Sequence, residues 1–313
     1  MPELDRTKPI HLIVNPRSGH GGGRCLLSEL RTRLREDGWA LAEHTTDGPG
    51  DAARYAADAR DDAAVVIVWG GDGTISEATS ALAGADVLLL PCPAGTENLL
   101  AKEMHIPLHP GQLADALETG RIVECDLGRI NGRGFLLIIG VGFDGEVVRR
   151  LTSARTGHIS HLSYFWPLWR TFWEHDFPRM RIVADGEEIF NDFGLAFVGN
   201  ISHYAVGLRI CSNAQFDDGL LDLVVFHCRQ RARLMLHAAW TLLRRHPLKG
   251  DVLYRQSRRI TIETDRPVVC QVDGDLGPST PLDACITGQR VKLLIPQPRI
   301  GWAPWTRKGD VVE

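Results

Sequence analysis

The stretch Val65-Val-Ile-Val-Trp-Gly-Gly-Asp-Gly-Thr74 decides the fold. Its first five residues are all apolar and of strand length, as expected of a strand covered on both faces in a parallel sheet. The glycines that follow let the backbone approach a ligand closely, and the helix beginning after them offers free N–H groups to an anion. The same order of strand, glycine and helix occurs upstream at Asn15-Pro-Arg-Ser-Gly-His-Gly-Gly-Gly23 and downstream at Pro93-Ala-Gly-Thr-Glu-Asn98. One such junction is an ordinary strand-to-helix turn. Three on one sheet bring their loops to the carboxyl ends of the strands, the ligand crevice of parallel α/β folds, and so favour a nucleotide phosphate site. No Gly-Lys-Ser/Thr follows any of the three, which excludes a Walker A loop.

Outward from this core, Ile10–Val14, Leu41–Thr45 and Val87–Leu90 read as further strands. Arg24–Asp37 and Asp51–Arg60 read as helices, the first with Leu26, Leu27, Leu30 and Leu34 on one face. From about Gly128 the rhythm changes. Turn signals come closer together and alternation dominates at Met180–Val183, Gly194–Val198, Leu221–Phe226, Ile260–Glu263 and Val268–Val272. Leu162–Glu174 and Arg229–Arg245 interrupt this half as helices. A chain of 313 residues is expected to hold two domains. These are a parallel α/β domain over 1–128, to which Val291–Ile295 and the tail (291–313) could return, and an antiparallel β domain over 129–290.

Composition bounds the function. Hydrophobic residues at 44% and charged residues at 24% are those of an ordinary globular protein, which excludes disordered and fibrous classes. No run approaches the ~18 apolar residues of a membrane span, and the charged start Met1–Lys8 lacks the apolar core of a secretory signal. The net charge of −4 argues against binding nucleic acid by bulk phosphate attraction. Cysteines 25, 92, 125, 211, 228, 270 and 285 are scattered and odd in number, and none form a Cys-x-x-Cys pair; they read as reduced core thiols of a cytoplasmic protein.

Five blocks, Asn15-Pro-Arg-Ser-Gly19, Gly70-Gly-Asp-Gly-Thr74, Pro93-Ala-Gly-Thr-Glu-Asn98, Asp217-Asp-Gly-Leu-Leu-Asp222 and Val272-Asp-Gly-Asp275, stand in the order and spacing of one family. Over Ile10 to Ile295 the chain resembles the diacylglycerol kinase catalytic-domain family, which includes bacterial lipid kinases, sphingosine kinases and ceramide kinases. The resemblance implies an ATP-binding α/β domain of the NAD kinase/diacylglycerol kinase type, a β-sandwich domain carrying the lipid site, and catalysis in the cleft between them. It implies nucleotide contacts at Asn15, Ser18, Thr46, Gly71, Gly73, Thr74, Gly95, Thr96 and Asn98, and catalytic carboxylates at Asp72 and Asp275. It further implies a Mg²⁺ site at Gln215, Asp218 and Leu220, one carboxylate joined by backbone carbonyls, the oxygen-rich ligation this hard ion prefers. A carboxylate at Asp72 suits phosphoryl transfer, where it can hold the metal or accept the proton of the attacking hydroxyl.

Two positions depart from the family pattern. Leu99 stands where many bacterial members carry an acid, and Asp275 stands where the family has glutamate, one methylene longer. Two other functions therefore stay open. One is a soluble NAD kinase-like activity, since Gly-Gly-Asp-Gly-Thr is shared with NAD kinases. The other is a weakened nucleotide- or lipid-binding protein.

Weaker signals follow. Asp144 and Glu146 match an acidic region near the lipid headgroup in relatives, and equally suit a charged helix start. His158-x-x-His161 has metal-like spacing without a third ligand, so two loop histidines are expected. Tyr164, Phe165, Leu168, Trp169, Phe172 and Trp173 form a wide aromatic face, either core or a lipid-facing lip. Arg229, Arg231, Arg233, Arg244 and Arg245 bracket the helix around Leu234–Leu243, either as a solvated face or as contacts to anionic headgroups. A lipid substrate at the membrane surface implies peripheral association without insertion. A homodimer is compatible with the sequence and not required by it.

Overall fold

The computed structural model describes residues 4–18, 23–153, 172, 174, 176–246 and 250–297. The helix expected over Leu162–Glu174 and its aromatic face, apart from Phe172 and Glu174, lie outside these residues, as do His158 and His161. The chain divides into two compact units, one reaching Cys125 and resuming at Arg290, the other Asp126–Gln289.

In the first unit, strands β1 (Ile10–Val14), β2 (Leu41–Thr45), β3 (Val65–Gly70) and β4 (Leu88–Pro93) are parallel and lie in the order β2-β1-β3-β4. The end of the last strand among the described residues joins beside β4, also parallel, with Lys292 opposite Leu88. Every residue of β1, β3 and β4 is buried, whereas the edge strand β2 is partly exposed. This contrast explains why the apolar runs were so legible. The chain leaves β1 for β2 on one side and comes back to β3 on the other. The order therefore switches between β1 and β3, where such sheets place ligands. Helix α1 (Gly23–Glu36) packs on α5 (Pro110–Thr119), and α2 (Asp51–Asp58) on α3 (Asp72–Ala81). Leu27, Leu30 and Leu34 of α1 are buried, the stripe expected from its spacing. A short helix α4 (Leu99–Met104) follows the third glycine block.

The second unit is antiparallel. It contains the end of β5 (Arg121–Ile130), then β6 (Arg133–Phe135), β7 (Ile138–Val141), α6 (Phe143–Ser153), β8 (Arg179–Ala184), β9 (Glu187–Gly199) and β10 (Leu221–His227). Helix α7 (Arg231–Leu242) precedes β11 (Val252–Ser257), β12 (Arg259–Thr264), β13 (Val269–Val272), β14 (Asp275–Ser279) and the start of β15 (Leu282–Ile295). The long β9 serves two sheets. Its first half pairs with β8, which leads through β12 to β15; its second half runs between β7 and β10, with β13 and β14 beyond β7 and β11 beyond β10. Inward side chains recur at every second residue: Met180 and Ile182, Ala196 and Val198, Leu221, Leu223 and Val225, Ile260 and Ile262. They fill one core between the layers of a β-sandwich, as strand periodicity requires. Among the described residues no helix is long and apolar enough to cross a membrane.

Candidate active site

The three glycine loops are latched to one another at the switch between β1 and β3. Asn15 follows β1. Its Oδ1 accepts the Arg17 N–H at 3.0 Å, shaping its own loop, while its Nδ2 donates to Thr74 Oγ1 at 2.8 Å in the next. Ser18 Oγ accepts the Gly71 N–H at 3.2 Å. Glycine is required where these loops touch. A Cβ on Gly70 would stand 2.7 Å from the Thr74 Cβ, and one on Gly95 would stand 2.7 Å from the Gly71 Cα. The second and third loops thus meet backbone to backbone. Asn98, at φ 50°, clasps Gly95 by accepting its N–H at 2.8 Å and donating to its carbonyl at 2.9 Å. Such left-handed geometry suits asparagine better than most residues.

Asp72 begins α3, and its carboxylate crosses to the third loop. Oδ2 accepts the Leu99 N–H at 2.9 Å and Oδ1 the Leu100 N–H at 3.2 Å. The carboxylate therefore caps α4, a favourable place for a negative charge. This also explains the leucine at position 99: its N–H holds Asp72 while its side chain is buried. The N-cap of α3, Gly71, makes no side-chain cap hydrogen bond, and Gly73 and Thr74 lie in its first turn. Thr96 is partly buried on the same rim. Thr46 is buried at the end of β2, with its N–H on the Val14 carbonyl at 2.9 Å and its hydroxyl turned to the same oxygen at 3.4 Å.

In the second unit, the Asp-Gly-Asp block divides its labour. Asp273 and Gly274 form the turn between β13 and β14, with φ 51° and 86°, the paired positive values of a two-residue hairpin. The Asp273 carboxylate is buried and accepts three N–H groups, from Leu136 at 2.8 Å and from Leu137 and Ile138 at 2.9 Å. Asp275 opens β14 with its side chain 46% exposed and 4.0 Å from Arg133. The first aspartate builds the hairpin; the second remains available.

Gln215, Asp218 and Leu220 share the loop before β10. Gln215 and Asp218 are exposed, and Asp218 Oδ1 accepts the Leu220 N–H at 3.0 Å. The loop is anchored by Asp126, whose N–H donates to the Phe216 carbonyl at 2.7 Å and whose Oδ2 accepts the Gly219 N–H at 2.6 Å. Beneath it Asp222 is buried, accepts from Tyr254 and Gln256, and has its carboxyl pushed up by burial. Among the described residues no three His, Cys, Asp or Glu side chains cluster as metal ligands. The donors here are one exposed carboxylate and neutral oxygens. That set fits Mg²⁺, which keeps several of its waters, better than a softer ion.

Asp144, in the first turn of α6, is partly buried. Its Oδ1 accepts the Tyr204 hydroxyl, and its Oδ2, shut off from solvent, has no partner. Burial raises its pKa to about 6, against the weaker opposing pull of Tyr204 and nearby Gln271. Glu146 behaves differently. Arg149 and Arg150 both reach it at 2.7 Å, and the first of these interactions chiefly lowers its pKa. Glu146 is thus held in an ion pair on the helix, whereas no arginine reaches Asp144 among the described residues.

Sequence reading missed Asp126, Asn200 and Tyr204. Asn200 is fully buried and donates to the carbonyls of Asp126 and Leu136, joining segments far apart in sequence, so no local spacing announces it. Asp273 did carry a signal, since Asp-Gly between two apolar runs marks a two-residue hairpin.

The comparisons with known proteins agree with this geometry. A family profile described as the diacylglycerol kinase catalytic domain matches residues 9–130, and one described as the YegS C-terminal NAD kinase beta sandwich-like domain matches residues 137–295. A diacylglycerol kinase of Mycobacterium tuberculosis is 33% identical over 297 residues, covering 92% of this chain and 95% of its own. One of Staphylococcus carnosus is 25% identical over 296 residues, covering 93% and 96%. The crystal structure of a diacylglycerol kinase from Bacillus anthracis shares the fold, with a TM-score of 0.72 at 24% identity over 92% of this chain and 97% of that one. The parallel unit with its latched loops and the sandwich define the class of diacylglycerol kinase-like lipid kinases. The chain belongs to the diacylglycerol kinase catalytic domain family.

Proposed function

We propose that the protein transfers the γ-phosphoryl group of ATP, with Mg²⁺, to a hydroxyl of diacylglycerol or a related lipid such as a sphingoid base. The observation that carries this reading is the set of three loops locked around the uncapped start of α3. Backbone amides fixed before the ligand arrives lose no reorganisation energy when charge develops on a phosphoryl group. Close approach of Gly71 to Gly95 leaves a side-chain-free floor, which fits a polyphosphate. The names of the curated relatives support the lipid acceptor.

In this reading Asn15, Ser18, Gly71, Gly73, Thr74, Gly95, Thr96 and Asn98 hold the nucleotide, and Thr46 sets the neighbouring rim. Asp72 keeps the second and third loops in register and presents negative charge toward the metal or the attacking hydroxyl. The lipid oxygen bonds to phosphorus, the bond to the bridging oxygen breaks, ADP departs, and the hydroxyl proton passes to a carboxylate. Asp275, exposed and committed to no backbone amide, is the candidate for that proton. Asp144 acts as a positioning residue, orienting the acceptor end through the Tyr204 hydroxyl. Gln215, Asp218 and Leu220 would hold Mg²⁺, which supplies charge neutralisation when bound.

The test incubates purified protein with labelled ATP and Mg²⁺ against diacylglycerol, a sphingoid base and NAD. Label in an extracted lipid is expected. Label in NAD alone, or nucleotide binding without transfer to any acceptor, overturns the proposal.

A further inference from the structure

Helix α7 is built inside out. Ala232, Met235, Leu236, Ala239, Leu242 and Leu243 follow the spacing of an amphipathic stripe, roughly 120° wide at 100° per residue, and all six are exposed. The side facing the protein carries His237 and Thr241 instead, both buried. There His237 Nε2 lies 3.0 Å from the His227 carbonyl oxygen, and the Thr241 hydroxyl donates to the His237 carbonyl at 2.8 Å. Four of the seven large apolar side chains exposed among the described residues fall on this helix and its cap: Met235, Leu236, Leu242 and Leu243. Single exposed leucines need no explanation, but a contiguous stripe marks an interaction surface.

Charge identifies the partner. Arg229, Arg231 and Arg233 stand at one end and Arg244 and Arg245 at the other, with no acidic residue from 229 to 245. Arg229 pairs with Asp192 at 2.6 Å and Arg233 with Asp251 at 3.2 Å, while Arg231 donates to the Phe172 carbonyl. Arg244 and Arg245 are exposed and have no carboxylate partner among the described residues. A chain of net charge −4 thus presents an apolar stripe flanked by positive charge, complementary to an anionic, amphiphilic surface.

We infer that α7 is the face by which the protein seats itself on an anionic lipid bilayer. The helix lies in the interfacial plane, its stripe toward the acyl chains and its arginines among the phosphates. The inference rests on the lipid-kinase reading for the reason a bilayer is visited.

The full chain is sedimented with vesicles of phosphatidylcholine alone and with vesicles containing an equal share of phosphatidylglycerol, at low and high salt. Two variants accompany it, Leu242→Ser with Leu243→Ser, and Arg244→Ala with Arg245→Ala; all four side chains are exposed, and thermal melts check that folding is kept. Wild type should bind the anionic vesicles and release them as salt rises. The leucine pair should weaken binding at least roughly tenfold. The arginine pair should weaken it by about 25-fold, on anionic vesicles only. Unchanged binding by both variants overturns the inference. So does a shift from dimer to monomer on size exclusion with vesicle binding intact, which would make the stripe a contact between two copies. Sedimentation requires no turnover, so the two readings fail separately. A protein that binds vesicles through α7 yet phosphorylates no lipid loses only the kinase reading. One that phosphorylates lipid in detergent micelles while its α7 variants bind vesicles normally loses only this inference.

Discussion

Asp144→Asn measures what it costs to keep a carboxylate at the start of α6. The unfolded chain releases this proton near 3.8, whereas burial raises the folded value to about 6. Between these values the folded state holds more protons than the unfolded state, so stability falls as pH rises through the interval. The group is harmless below about pH 4 and fully penalised above about pH 7. Converted at 1.36 kcal/mol per pH unit, the penalty is about 1 kcal/mol at pH 4.5 and about 3 kcal/mol at pH 8. Asparagine cannot ionise and removes the penalty at both. It also puts an N–H where Oδ2 now has no partner, which costs about 1 kcal/mol. The variant should therefore match wild type at pH 4.5 and be more stable by about 2 kcal/mol at pH 8. Urea unfolding of the whole chain at the two pH values reads the difference. If Asp144 also orients the acceptor, the stabilised variant should show a raised KM for lipid and an unchanged KM for ATP. A variant less stable than wild type at pH 8, or one shifted equally at both pH values, would show that Asp144 is not held ionised at a cost.

Asp72→Asn replaces one acceptor with a donor aimed at a helix amide, so it should lower stability by about 1.5–3 kcal/mol as well as turnover by roughly 10²-fold or more; parallel melts and assays separate the two effects. Asp275→Ala should cost about 10²–10³-fold in kcat/KM with an unchanged melting temperature. Asp275→Glu should be tolerated, because the side chain is half exposed and Arg133 lies within reach of the longer carboxylate; steady-state kinetics of the pair decides. Asp218→Ala should leave stability alone and raise the Mg²⁺ concentration needed for half-maximal activity, so an unchanged Mg²⁺ titration would remove Asp218 from the metal site.

How legible these features were in the sequence follows from their range. The parallel strands were readable because burial on both faces leaves no polar residue in β3, and the sandwich strands because Ile260 and Ile262, or Met180 and Ile182, alternate cleanly. Helix α4 was not, since six residues give no periodicity and its start depends on Asp72, 27 residues earlier. The glycine blocks were legible as loops, yet the bonds that lock them, Asn15 to Thr74 and Ser18 to Gly71, join residues more than fifty positions apart. Asp126 and Asn200 had no local signature. The arginines around α7 were visible, but its inverted face was not, because a stripe of Met and Leu reads by default as the buried side.

The aspartates of the five blocks and their neighbours sort by what their oxygens already hold. Asp72 accepts the Leu99 and Leu100 amides, Asp273 those of Leu136, Leu137 and Ile138, and Asp126 that of Gly219, anchoring a loop. A carboxylate fixed in this way is a sound anchor for the backbone it holds. Asp218 is exposed and accepts the backbone amide of nearby Leu220, and the Asp275 side chain is half exposed. They cost the fold little, so their substitution should alter rate or metal demand before stability. Asp144 belongs to neither group, since one oxygen is satisfied and the other is buried without a partner. A fold that only needed a helix cap there could use asparagine or serine at lower cost. The raised pKa is therefore an argument for function at Asp144, in the same way that full satisfaction of Asp273 is an argument for structure.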